Sequence, residues 1–169
     1  MQVSEGKKIY PSPMNKIKEL SMKNLFIILA IMMFGCENKI ADHNEKLIEN
    51  IIEDIRLGWE LGDGAAFREH FLDWDGARYF EGGGQNVGLE DLIVNHVEPE
   101  SELGLTLSFT KVETHFEDNF AWAVVDTEIK LTTSSRRKIH NTGHGTYLFR
   151  WVNEAWKVIH TQSASKPVK

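Results

Sequence analysis

From residue 103 to residue 164 the chain is strand-like almost without interruption. Apolar, aromatic and β-branched residues alternate with polar ones in four segments, 103–117, 119–132, 136–152 and 155–164. A period of two marks strands with one buried face. Segments joined by such short turns pair antiparallel, because a parallel partner needs a long crossover. The C-terminal part of the chain is therefore a meander with one apolar face to cover.

The cover lies upstream. Ile48, Ile51, Ile52, Ile55 and Trp59 fall at helical spacing, which predicts an amphipathic helix over 44–61, ended by Gly62-Asp63-Gly64. A second short helix over 65–72 places Phe67 and Phe71 on one face. A turn at Asp73-Trp74-Asp75-Gly76 leads to a short strand over 77–80, and Gly82-Gly83-Gly84 reads as a flexible break. Leu89, Ile93, His96 and Val97 mark a third helix over 89–97, stopped before Pro99. Three helical pieces followed by long strands is an α+β layout.

Turns set the register. Asp118-Asn119 as a two-residue turn pairs Glu117 with Phe120. That puts Thr110, Val112, Thr114, Phe116, Ala121, Ala123, Val125, Thr127 and Ile129 on the better core face. Phe109, Lys111, Glu113, His115, Trp122, Val124, Asp126 and Glu128 take the other, with Lys111 opposite Asp126 as a cross-strand ion pair. Asn153-Glu154 sets the last hairpin in the same way. Its inner face then carries Trp151 with Trp156, Phe149 with Val158, Tyr147 with His160, and Gly145 with Gln162. A one-residue bulge in any of these strands would exchange the two faces beyond it.

The N-terminus reads as an address. Met22-Lys23-Asn24 is a short basic start, residues 25–34 are an apolar core, and Gly35 precedes the single cysteine, Cys36. Ten apolar residues are too few to span a bilayer, which takes about 20. The segment resembles a bacterial lipoprotein signal, with Met33 where Leu is usual. The resemblance implies cleavage before Cys36 and a lipid on its thiol. Glu37 favours the outer membrane on the same grounds. The domains expected are an N-terminal extension preceding the true start (1–21), a signal peptide (22–35), a lipidated tether (36–43), one folded domain (44–165) and a tail (166–169).

Charge narrows the partners. Of 19 Lys+Arg and 25 Asp+Glu, five and two precede Cys36, which leaves 14 against 23 beyond it, a net charge of −9 with His neutral. Such a surface repels nucleic acid. One cysteine excludes a disulfide within the chain. His140 and His144 lie about 13 Å apart along one strand, too far to share a metal ion. No cofactor or metal site is expected.

Four pieces together carry a family likeness: Trp59 with Gly62-Asp63, Phe67 and Phe71; Gly88 opening the helix of Ile93 and His96; Ala121-Trp122-Ala123-Val124-Val125; and Trp156-Lys157-Val158-Ile159-His160 before Ser163. The chain resembles the nuclear-transport-factor-2-like superfamily in its SnoaL-like branch over residues 44–165. The resemblance implies a cone, a curved antiparallel sheet packed on three N-terminal helices. It also implies an apolar pocket at the open end and an outer sheet face that often forms a homodimer. Members include isomerases, cyclases, dehydratases and proteins without chemistry, so fold leaves function open.

Three readings follow. The first is a lipid-anchored module binding a small apolar or amphipathic molecule, its pocket lined by Trp59, Tyr79, His96, Tyr147 and His160. The second is an isomerase, cyclase or dehydratase with His160 and His96 as an acid/base pair. The third is an interaction or dimerisation module whose cone is filled by Trp122, Tyr147, Phe149, Trp151 and Trp156. The family's enzymes commonly use an inward Asp or Glu. Asp126 is the obvious strand carboxylate, and the register turns it outward. The absence of an inward carboxylate favours binding over proton abstraction.

Overall fold

The computed structural model describes residues 41–133 and 135–169. The N-terminal extension, the signal segment, Cys36 and the first part of the tether lie outside the described residues.

Helix α1 (Glu45–Leu61) starts where the Asn44 side chain accepts the Lys46 N–H, and it ends at Gly62 in the left-handed conformation. Its apolar stripe buries Ile48, Ile52 and Ile55 completely. Asp63 caps α2 (Gly64–His70) by accepting the Ala65 N–H at 2.8 Å. Gly64 is needed at the crossing, since a Cβ there would lie 2.4 Å from Cγ2 of Ile93. Helix α3 (Leu89–Leu92) runs into a π-helical turn (Ile93–Val97) and then α4 (Glu98–Glu100).

Pro99 does not stop this helical run. The Glu98 N–H reaches back five residues to the Ile93 carbonyl, and Pro99 falls at the start of α4, where its fixed φ suits a first helical turn. The helical path expected to end at residue 97 therefore continues to Glu100.

The sheet has six strands: β1 (Arg78–Glu81), β2 (Gly84–Val87), β3 (Thr106–Glu117), β4 (Phe120–Thr132), β5 (Lys138–Val152) and β6 (Ala155–Pro167). Their spatial order is β2-β1-β6-β5-β4-β3. The sheet is curved and unclosed, with the helices packed against its inner face. It is mixed, not purely antiparallel as expected: β1 runs parallel to β6, Tyr79 opposite Thr161. The rest of the sheet lies between them in sequence, and that length supplies the crossover a parallel pair requires. Gly82-Gly83 is the tight turn of a β1–β2 hairpin, with φ of 53° and 93° and Glu81 paired to Gly84. It is not the flexible break suggested by three consecutive glycines.

Two bulges set the faces. Pairing from Glu117–Phe120 to Lys111–Asp126 follows the turn, then Thr110 is skipped and Phe109 pairs Thr127. In the last hairpin Val152–Ala155 to Phe149–Val158 follow the turn, then Ile159 is skipped and Leu148 pairs His160. Each extra residue bends its strand and reverses the alternation beyond it. Phe109 thereby turns to the interior that Thr110 was expected to face. The interior joins Ile48, Ile52, Ile55, Phe67, Ile93 and Val97 of the helical layer to Ala123, Val125, Phe149 and Val158 of the sheet.

Arg56 and Glu60 tie the layers together. The Arg56 guanidinium donates to Glu53 and to the Leu107 carbonyl and pairs with Glu60 at 2.8 Å, while Glu60 accepts the Leu107 N–H. The Glu53 and Glu60 carboxylates push the Arg56 pKa further up.

Candidate functional site

The cone is not filled by its aromatic residues. Trp151 and Trp156 pack edge to face at 5.3 Å and Phe149 is fully buried, yet a cavity of about 120 Å³ remains between helices and sheet. One water takes roughly 10–15 Å³ of such space, so the hollow has room for a small molecule. Leu105, Leu107 and Phe109 of β3 and its lead-in, with Val125, Ile129 and Leu131 of β4, form an apolar wall. Trp59, Phe71, Tyr79, Leu92, His96, Glu100 and Tyr147 enter from the other sides.

Of the residues expected to line the pocket, Trp59, Tyr79, His96 and Tyr147 do so, and His160 does not. The extra residue Ile159 pairs His160 with Leu148 instead of Tyr147. The His160 Nδ1–H donates to the Arg78 carbonyl at 2.7 Å, and the ring meets the edge of Phe80 at 5.6 Å. The expected pairing of His96 and His160 across one cavity is not formed. Asp126 faces outward as expected, but its partner is His144 Nδ1 at 2.8 Å. Lys111 pairs with Glu113 on its own strand.

His96 is held on the π-helical turn, a distortion that recurs at functional sites. Its Nδ1 lies 3.0 Å from Oδ1 of Asn86. The Asn86 Nδ2 in turn donates to the carbonyl and carboxylate of Asp91 at 3.3 and 3.4 Å. The reverse amide orientation would set an oxygen against both Asp91 acceptors. Asn86 therefore presents its oxygen to His96, and His96 carries its proton on Nδ1. The side chain of Asn95, the Val87 N–H and Asn86 hold the Asp91 carboxyl below its usual range. On the other side of the ring, Nε2 is 3.4 Å from Oε2 of Glu81 at the rim. Trp59 meets the imidazole edge to face at 5.1 Å.

An inward carboxylate exists after all. Glu100 lines the cavity, and its Oε2 is buried without a hydrogen-bond partner. Desolvation raises its pKa, the charge of His96 opposes that shift, and Glu81 adds to it. Pro99 hid this residue from sequence reasoning by suggesting that the helix had already ended. Glu81 was missed because the glycine run masked the hairpin that positions it. The Tyr79 hydroxyl is also buried and unpartnered, its residue only 2% exposed. Burial, with the charge of Asp73, pushes the Tyr79 phenol up to about 12. Burial and then Glu81 push the Tyr147 phenol up as well.

Among the described residues no three His, Cys, Asp or Glu side chains converge to hold a metal ion. No described helix is long and apolar enough to cross a membrane.

Comparison with solved structures identifies the fold. A nuclear-transport-factor-2-like superfamily protein from Salmonella enterica serovar Typhimurium superposes with a TM-score of 0.65 at 17% identity, over 72% of this chain and 89% of that one. A protein assigned as a dehydratase of the same family, from Streptomyces avermitilis, gives 0.63 at 14% identity over 76% and 99%. A protein assigned as a ketosteroid isomerase from Shewanella frigidimarina gives 0.59 at 14% identity over 68% and 92%. No family model matches the sequence, and no curated protein matches it in sequence. The described domain thus has the nuclear-transport-factor-2-like fold, which it shares with the proteins assigned as a dehydratase and as a ketosteroid isomerase.

Proposed function

We propose that this chain is a lipoprotein of the cell envelope, anchored through Cys36, whose cone binds a small amphipathic molecule. The observation that supports it is the hollow itself: an apolar wall from Leu107 to Leu131 at one side and polar groups gathered around His96 at the other. Small-molecule sites have this composition, with much apolar surface and a few placed polar atoms. Native mass spectrometry of the full chain, purified from its own host, tests the reading. A retained mass that organic extraction removes is the expected result. Bare protein before and after extraction counts against it.

His96 favours a second reading. An imidazole on the cavity wall whose Nδ1–H is tied to Asn86 keeps Nε2 as its basic nitrogen, as a general base must. The chain is then an isomerase- or dehydratase-type enzyme with His96, not His160, as base and Glu100 within its field. Glu100 is the inward carboxylate whose expected absence favoured binding alone. Full activity in a His96→Ala variant, once a turnover is found, would sink this reading.

The outer sheet face supports a homodimer as the working state. Phe120 and Leu148 are exposed there, beside Trp122, which stacks on His115 at 5.2 Å.

A further inference from the structure

The ionisable groups on the cavity wall are Glu81, Glu100, His96, Tyr79 and Tyr147; among the described residues no Lys or Arg contributes to it. Two of the five have an atom without a partner, Oε2 of Glu100 and the hydroxyl of Tyr79. A third, His96, has Nδ1 committed to Asn86 and sets Nε2 3.4 Å from Oε2 of Glu81. The carboxylates at this end, Glu81 and Glu100, thus face no Lys or Arg across the cavity, and the Tyr79 hydroxyl is free to donate or to accept.

Ligand head groups differ in how they meet that imbalance. A carboxylate brings a further negative charge and no donor. An alcohol brings one donor and no charge. A primary ammonium brings three donors and a positive charge. Leaving buried acceptors unpaired is costly, and pairing them with a charged donor is worth about twice a neutral bond.

We propose that the cone takes a small amphipathic amine, its apolar body against Phe109, Val125 and Ile129 and its protonated nitrogen facing Glu81 and Glu100, with the Tyr79 oxygen accepting a further hydrogen bond. This rests on the binding reading above and names the ligand class. A cation beside Glu100 also restores the ionised carboxylate that burial disfavours.

Three probes of matched size separate the possibilities: phenethylamine, 2-phenylethanol and phenylacetate, each titrated calorimetrically into the full chain at neutral pH. The amine should bind at least about tenfold more tightly than the alcohol, and phenylacetate least of all. Glu100→Gln should bring amine and alcohol to within about threefold of each other. Glu81→Gln, at the exposed rim where the fold is least at risk, should narrow the same ratio. Equal binding of amine and alcohol, tighter binding of phenylacetate, or an amine preference that survives both substitutions would overturn the ligand class and leave the binding cone standing. Absence of binding by all three probes would overturn both.

Discussion

The Asn86 amide oxygen accepts the Nδ1 proton of His96 at 3.0 Å, and the amide can do so only because Asp91 takes its hydrogens. One helix carboxylate thus decides, two bonds away, which nitrogen of an imidazole carries the proton. The three residues come from β2, α3 and the π-helical turn, so the arrangement depends on the hairpin closing against the helix.

Tautomer is the direct test of that chain. Nitrogen-15 spectra of the native protein should show neutral His96 protonated on Nδ1. Asn86→Ala should abolish the preference while the far-ultraviolet circular dichroism stays native. An unchanged tautomer would mean that Asn86 does not set it.

Glu100 should make the protein less stable as pH rises. Its folded-state pKa lies above the ordinary glutamate value because burial disfavours the charge. Below the ordinary value both states are protonated and nothing is lost. From there upward the unfolded chain releases its proton first, and stability falls until the folded carboxyl has also ionised. Glu100→Gln should therefore raise the melting temperature at pH 7 more than at pH 4. An equal shift at both pH values would show that the carboxyl is not strained by burial.

Tyr79→Phe removes a buried hydroxyl that has no partner. Such a deletion is expected to leave stability unchanged or raise it by about 1 kcal/mol, where loss of a satisfied hydroxyl costs a similar amount. Urea unfolding of the ligand-free protein measures the sign. The native phenol, pushed up to about 12 by burial, should vanish from the alkaline absorbance titration of the variant.

Gly64→Ala sets two effects against each other. Alanine is favoured over glycine in a helix by about 1 kcal/mol, less in the first turn. The new methyl would meet Cγ2 of the fully buried Ile93 at 2.4 Å. Overpacking of that kind costs about 1–3 kcal/mol and should win. Because Ile93 begins the π-helical turn, the His96 resonances should move too. A stabilised variant would show that the crossing has slack.

Outward charges test the dimer. The native chain is expected to be dimeric by light scattering at micromolar concentration, and Leu148→Glu combined with Trp122→Glu should make it a monomer. Monomeric native chain at the same concentration removes the proposal.

Much of the architecture was legible because it is local. Helical spacing located α1, Gly62 ended it, and two-residue turns at Asp118-Asn119 and Asn153-Glu154 set strand pairing near each hairpin. Helical spacing puts Trp59 and His96 on inward faces and the last turn does the same for Tyr147, and these three line the cavity together with Tyr79.

What the tertiary structure decided is non-local. A bulge leaves no mark in the alternation, so only the packed sheet could show that Thr110 and Ile159 are skipped, turning Phe109 inward and His160 away. A proline ends most helices, so only the π-helical turn could carry the chain past Pro99 and deliver Glu100 to the hollow. Periodicity reports which side of an element is apolar. Which polar atoms finally meet depends on one-residue offsets whose energies are settled by long-range contacts.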